Sequence, residues 1–204
     1  LRTAAECGIT FYDTADTYGF GHSETLIGRT FTGRRHHVVI ASKVGFLPSS
    51  LARIGKRLSP VLGPLRPLVG RGKATFKRLS KQRQDFSPAH ITAAIEGSLR
   101  RLQTDYVDLY LLHSPPTELL EQGEVFELLA RLKRQGKIRF YGVSARTIAD
   151  ALICLRDPDV SALEVAFNLL DQEAARELFP LAARHRVGVI ARVPLARGLL
   201  TDRA

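Results

Sequence analysis

Short runs of apolar, β-branched and aromatic residues alternate along the chain with longer stretches whose apolar positions recur every three or four residues. The short runs predict strands over Ile9–Asp13, Val38–Lys43, Tyr106–His113, Ile138–Val143, Ala162–Phe167 and Val187–Arg192. The stretches between them predict helices. Ile91, Ile95, Leu99 and Leu102 fall on one helical face, and Val125, Leu128, Leu129 and Leu132 fall on another. Ser87 followed by Pro88 is a start signal, an N-cap and then a proline in the first turn. Gly136 fits the C-terminal end of a helix just before the fourth strand.

Successive strands begin roughly 30 residues apart, the length of one strand–helix unit. The interval between the second and third strands is longer by roughly 40 residues, which marks an insert. Strands apolar at nearly every position are buried on both faces, so the alternation predicts an α/β fold with a parallel sheet. Evenly sized units, and no G-x-G-x-x-G after a strand, favour a parallel (β/α)8 TIM barrel over a doubly wound sheet. About six βα units are visible, so the barrel is expected to be incomplete. The chain contains no Met, opens within a helical pattern and closes on GLLTDRA. It is therefore expected to be an internal piece of a longer protein, with residues 1–204 forming one partial barrel domain and an insert at 47–86.

Composition narrows the class. With 45% hydrophobic residues among 204, the chain has the apolar content for a core and is not a disordered segment. No apolar run approaches the roughly 18 residues of a membrane-spanning helix, and the opening LRTAAECG lacks the long apolar run of a signal peptide. Two cysteines, Cys7 and Cys154, make no disulfide framework, which points to a reduced, cytoplasmic setting.

The formal charge of +10 comes from 30 Lys and Arg against 20 Asp and Glu. Ten of the basic residues, and no acidic one, lie between Leu47 and Gln84, so the remainder balances at 20 against 20. The basicity thus belongs to the insert. That stretch also holds four of the ten prolines and four glycines, with a short amphipathic turn pattern near Leu51–Leu58, and is expected to form a cationic flap over the barrel mouth. An alternative is a surface that binds nucleic acid or anionic membrane. Phe76 is its one aromatic residue, which argues against stacking on single strands, and neither partner is expected.

In a barrel of this kind the chemistry sits at the C-terminal ends of the strands and in the loops that follow. Those positions hold Asp13, Tyr18, Lys43 and His113. Taken singly, each has an ordinary reading: a helix-capping carboxylate, a rim aromatic, a solvated charge and a core imidazole. Convergent at one barrel mouth, they suit the delivery of a proton to a carbonyl oxygen. Tyrosine, with an ordinary pKa near 10, is a poor acid at neutral pH, and an adjacent lysine ammonium is expected to lower that value. A carboxylate paired with the lysine would hold it in place, and a neutral histidine would orient the carbonyl. His36–His37 lacks a third ligand, so no metal is expected. The reducing equivalent would have to come from a bound cofactor.

The blocks FYDTADTYGFGHSETLIGRTF, VVIASKVGF, LRRLQTDYVDLYLLHSP, GKIRFYGVSA and VIARVPLARGLLT resemble the successive signatures of the aldo-keto reductases. The resemblance covers nearly the whole chain outside the insert. It implies a (β/α)8 barrel that reduces aldehydes or ketones with NADPH, or with NADH in its place. It also implies a catalytic tetrad at Asp13, Tyr18, Lys43 and His113, with Tyr18 as general acid. Cofactor contacts are implied at Asp13, at Ser144 and at the loop beginning Pro194–Leu195. Glu164 stands where the family's nicotinamide-binding Gln is expected, and Arg192 stands where an aromatic residue often stacks on the nicotinamide. The expected partner is a small-molecule carbonyl. Two other function classes are compatible with the sequence: a cofactor-binding regulatory module resembling potassium-channel beta subunits, and a nucleic-acid or membrane-surface binder acting through the insert.

Overall fold

A computed structural model of the chain describes residues 1–47 and 83–202. The strands are β1 (Phe11–Asp13), β2 (Val39–Val44), β3 (Val107–His113), β4 (Ile138–Ser144), β5 (Val160–Ala166) and β6 (Gly188–Arg192). All pair in parallel, and their order across the sheet is their order in the chain. Helices follow the strands: α1 (Arg2–Glu6) precedes β1, α2 (His22–Thr30) follows it, and α3 (Pro88–Leu102) precedes β3. Next come α4 (Thr117–Gln122), α5 (Glu124–Arg134), α6 (Ile148–Cys154) and α7 (Glu173–His185). Six parallel strands with helices between them thus form an α/β half-barrel, as the strand spacing predicts.

The chain divides into two compact units, Leu1–Gly45 with Phe86–Ala204, and Phe46–Asp85. In the second unit, Phe46 bridges Gln84 antiparallel and the Leu47 amide donates to the Arg83 carbonyl, which joins the ends of the insert. The expected flap and its amphipathic turns near Leu51–Leu58 fall within 48–82, outside the described residues.

Strand register separates the sheet into two faces. Tyr12, Ile40, Val44, Tyr110, Leu112, Tyr141, Val143, Leu163 and Val165 point to the helices and form the main core with Ile91, Ile95, Leu102, Leu129 and Leu132. The opposite parity places Ala41, Leu109, Leu111 and Ala162 in a second cluster, the filling of the barrel interior, with Ile190 packed against it. Ser87 caps α3 by accepting from the His90 amide, and Pro88 occupies the first turn. Gly136, at φ 74°, ends the α5 segment in the left-handed region that favours glycine.

Predicted strand boundaries shift by one or two residues, each for a local reason. Ile9 donates its amide to Ala4 and so finishes α1 instead of opening β1. The Tyr106 ring lies between the Arg35 and Arg139 guanidiniums, 4.3 and 4.0 Å from its centroid, just ahead of β3. Strand β5 begins early, at Val160, where it meets Tyr141 beside a register shift in β4. Phe167 leaves the sheet to pack edge-on against Phe179 in α7. No helix among the described residues is long and apolar enough to cross a membrane.

Candidate active site

The interior parity that carries Ala41, Leu109 and Ala162 also carries the polar residues at the strands' C-terminal ends. Asp13 of β1 pairs in register with Ala41, and Lys43 lies two residues further along β2. His113 pairs with Ser144, and Ser144 pairs with Glu164. Arg192, across from Ala166, ends β6 on the same face. Five strands beyond β1 thus each send a polar group toward one mouth.

Lys43 is the hub. Its side chain is fully buried, and its Nζ donates to both Asp13 carboxylate oxygens at 2.5 Å and to the Thr14 carbonyl at 3.1 Å. A second carboxylate reaches the same ammonium from across the barrel, with Glu164 Oε2 3.2 Å from Nζ. The other oxygen of Glu164 accepts from Ser144 Oγ at 3.0 Å. The Tyr18 ring centroid lies 5.6 Å from Lys43 Nζ and 6.0 Å from the His113 ring, which meets it edge-on. The structure therefore brings Asp13, Tyr18, Lys43 and His113 together, and adds Glu164 and Ser144 to them. Arg192 Nη2 donates to the Ala145 carbonyl at 2.7 Å, which ties β6 to the loop after β4. Pro194 and Leu195 follow on the exposed rim. Just before them Val193, a β-branched residue, sits at φ 58°, a strained conformation held where Asn168 Nδ2 donates to its carbonyl.

The loop bearing Tyr18 is held from beneath. The Thr14 amide donates to Ala41 O and the Asp16 amide to Lys43 O, so the chain leaving β1 continues along β2. Tyr18 opens a tight turn through Gly21, which at φ 83° lies so near Arg101 that a Cβ there would meet its side chain at 2.6 Å. Arg101 Nε donates to Glu24 Oε2 at 2.6 Å, and Glu24 Oε1 accepts from Ser42 Oγ at 2.6 Å. Buried Glu24 and Ser42, with half-buried Arg101, clamp α2 and α3 to the back of β2. Sequence reasoning passed over this clamp, although Glu24 belongs to the same FYDTADTYGFGHSE block that yields Tyr18.

Electrostatics modify one expectation. Burial raises the Tyr18 pKa above the ordinary tyrosine value and outweighs the lowering by Lys43, while Asp13 and Glu164 add to the rise and Arg192 opposes it. The phenol is 43% exposed, so solvent softens the burial effect, but the net direction is upward. Asp13 likewise stays above the usual carboxylate range, because burial exceeds the help from Lys43 even though the two are in contact. His113 behaves as expected. Burial first, then the charges of Lys43 and Arg192, lower it to about 4, and the imidazole is neutral at physiological pH.

Asp16 is the other perturbed carboxyl. Burial and the nearby Glu24 charge push it up to about 7, and its Oδ1 has no hydrogen-bond partner among the described residues. A carboxyl whose folded pKa exceeds its ordinary 3.8 weakens the folded state as pH rises between those two values. Asp16→Asn is therefore expected to stabilise the protein by about 2 kcal/mol at alkaline pH and to change little near pH 4. Thermal unfolding of both forms across that range checks it, and an equal effect at the two ends would refute the assignment.

The aldo/keto reductase family model matches residues 1–204. The chain belongs to the aldo/keto reductase family. An uncharacterised oxidoreductase of Bacillus subtilis, YqkF, is 32% identical over the whole chain, which spans 57% of that relative's length. Among solved structures, the holo form of aldo-keto reductase AKR11C1 from Bacillus halodurans is 33% identical with a TM-score of 0.78, over 98% of this chain and 58% of that one. An aldo-keto reductase from Klebsiella pneumoniae in complex with NADP and acetate is 29% identical with a TM-score of 0.70, over 99% of this chain and 59% of that one. The chain thus spans little more than half the length of each of these relatives. His36 and His37, the pair considered for metal, lie with tilted rings 4.1 Å apart, away from the barrel mouth in a turn before β2.

Proposed function

We propose that the protein reduces an aldehyde or ketone to the alcohol with NADPH, with Tyr18 as the proton donor. The observation that carries this reading is the convergence of one phenol, one buried ammonium, its carboxylate partner and one neutral imidazole at the same strand ends. Nothing in that set is arranged as a nucleophile for acyl transfer. The names of the related reductases, and the NADP held by the Klebsiella pneumoniae enzyme, support the same reading.

The residues present suit a nicotinamide. Arg192 Nε is a buried donor with no hydrogen-bond partner among the described residues, and Ser144 Oγ, donating to Glu164, keeps lone pairs for an incoming amide. Ser144 and Arg192 would hold the carboxamide end, and the loop from Pro194 would lie along the rest. When bound, NADPH supplies a hydride for the carbonyl carbon.

The chain's own groups do the remainder. His113, neutral, donates a hydrogen bond to the carbonyl oxygen and fixes it beside the phenol. Tyr18 passes its proton to that oxygen as negative charge develops there. Lys43 favours the phenolate so formed, and Asp13 holds the ammonium in place. The carbonyl class stays general, because the loops that select substrates are the most variable part of such folds.

Two measurements test the reading. NADPH consumption with a panel of simple aldehydes and ketones tests the activity, and absence of turnover with every member would sink it. The pH–rate profile tests the histidine: no inflection from His113 is expected between about pH 5 and 8, since it loses its proton near 4. An inflection in that window that vanishes in His113→Gln would show a charged imidazole at work.

A further inference from the structure

Lys43 has three protons to give, and the structure shows where they go. Asp13 takes two with its two oxygens and Thr14 O takes the third from the backbone, while Glu164 Oε2 stands 3.2 Å from the same ammonium as an ion pair without a hydrogen bond. The Glu164 contact is the unexpected one. Its strand, β5, is separated from β2 by β3 and β4, so the pair closes across the barrel interior. Glu164 is only 5% exposed, and Ser144 fixes its other oxygen, so the carboxylate is aimed and not merely nearby. By family resemblance this position is expected to serve the cofactor. In the structure it is engaged with the lysine.

The charge balance follows. One ammonium faces two carboxylates, and the field it directs at Tyr18 is offset by both. The charged and titratable groups that face the phenol are Lys43 from β2, Asp13 from β1, Glu164 from β5, Arg192 from β6 and the neutral His113 from β3. Removing one carboxylate from this set leaves more of the lysine's field for the phenolate.

We propose that Glu164 is a positioning residue of the proton-transfer site: by sharing Lys43 with Asp13 it weakens the ammonium's hold on the Tyr18 phenolate and sets the pH at which Tyr18 gives up its proton. This rests on the proposed function for the meaning of that proton, but not for its measurement. Glu164 in this role touches neither substrate nor reacting atoms. It acts through Lys43.

The test is a Glu164→Gln substitution in the whole protein, read by titrating the Tyr18 side chain. Tyrosine ring-carbon labelling separates the five tyrosines, and Tyr18→Phe assigns the signal. Gln keeps the shape and a carbonyl oxygen for Ser144 but not the charge. The Tyr18 midpoint is expected to fall by roughly half a unit to one unit, and the phenol-dependent limb of the pH–rate profile to move the same way. Glu164→Asp, which keeps the charge, is expected to titrate within about 0.3 units of the parent. A midpoint that stays or rises in the Gln variant overturns the proposal, as does an equal shift in both variants. A Gln variant that fails to fold would assign Glu164 to stability and overturn it too. Because the midpoint needs no turnover, an inactive protein with a shifted Tyr18 would refute the proposed function alone.

Discussion

Tyr18→Phe is expected to lower carbonyl reduction by about 10²–10⁴-fold while leaving NADPH affinity nearly unchanged. The substitution removes one hydroxyl and nothing else. The ring stays against His113, and since the side chain is 43% exposed its loss of polarity costs the fold little. The loop is fixed by backbone bonds, from Tyr18 N to Ala15 O and from Asp16 N to Lys43 O, which the variant retains. Initial rates under saturating carbonyl, beside a fluorescence titration of NADPH, separate the two effects. A variant that keeps more than about half of parental turnover would remove Tyr18 from the mechanism.

Lys43→Met should damage both turnover and stability. Lys43 is fully buried, and its ammonium is shared by the Asp13 and Glu164 carboxylates. Breaking a buried ion pair from one side typically costs about 3–5 kcal/mol, because the partner left behind is charged and unpaired. Here two carboxylates are left facing each other, although Asp13, with its side chain 35% exposed, can draw on solvent for part of the loss. The sign of the pH dependence is fixed. Asp13 already lies above its ordinary value, so in the variant its folded pKa moves further up, and stability falls as pH rises from the unfolded value through the folded one. Chemical unfolding is therefore expected to show a larger deficit at alkaline than at acidic pH. An equal deficit at both would mean that lost packing, and not uncompensated charge, accounts for it.

The parts of this architecture that the sequence made plain are those in which one residue's neighbours along the chain decide its place. The strands announce themselves because nearly every position in VDLYLLH is apolar, and α3 because Ile91, Ile95, Leu99 and Leu102 repeat at helical spacing. The tetrad is legible because the C-terminal ends of parallel strands share one side, so Asp13, Lys43 and His113 needed no contact map to be grouped. What escaped notice depends on distant segments. Asp108 looks out of place inside an apolar strand until Arg35, Arg139 and the Ile40 amide are seen around it. Glu24 and Arg101, far apart in the chain, meet beneath the Tyr18 loop, and neither periodicity nor propensity signals that encounter. The sign of the Tyr18 shift was hidden for the same reason. It turns on burial first, with Asp13 and then Glu164 adding to the rise, and burial and the approach of Glu164 are properties of the folded barrel.

The sheet's simple order, each strand beside its chain neighbour, also constrains how the molecule assembles. Strands β3 to β6 are joined by single short crossovers, so their pairings close small loops at low entropic cost. The β2–β3 pairing instead closes a loop that includes the entire insert and α3. Protection of backbone amides should therefore mature first within β3–β6 and within β1–β2, and last at the β2–β3 seam that docks the strands carrying Asp13 and Lys43 onto the rest. On that schedule the ammonium enters a barrel interior in which Ser144 and Glu164 are already set, and the cross-barrel ion pair is among the last native bonds to form.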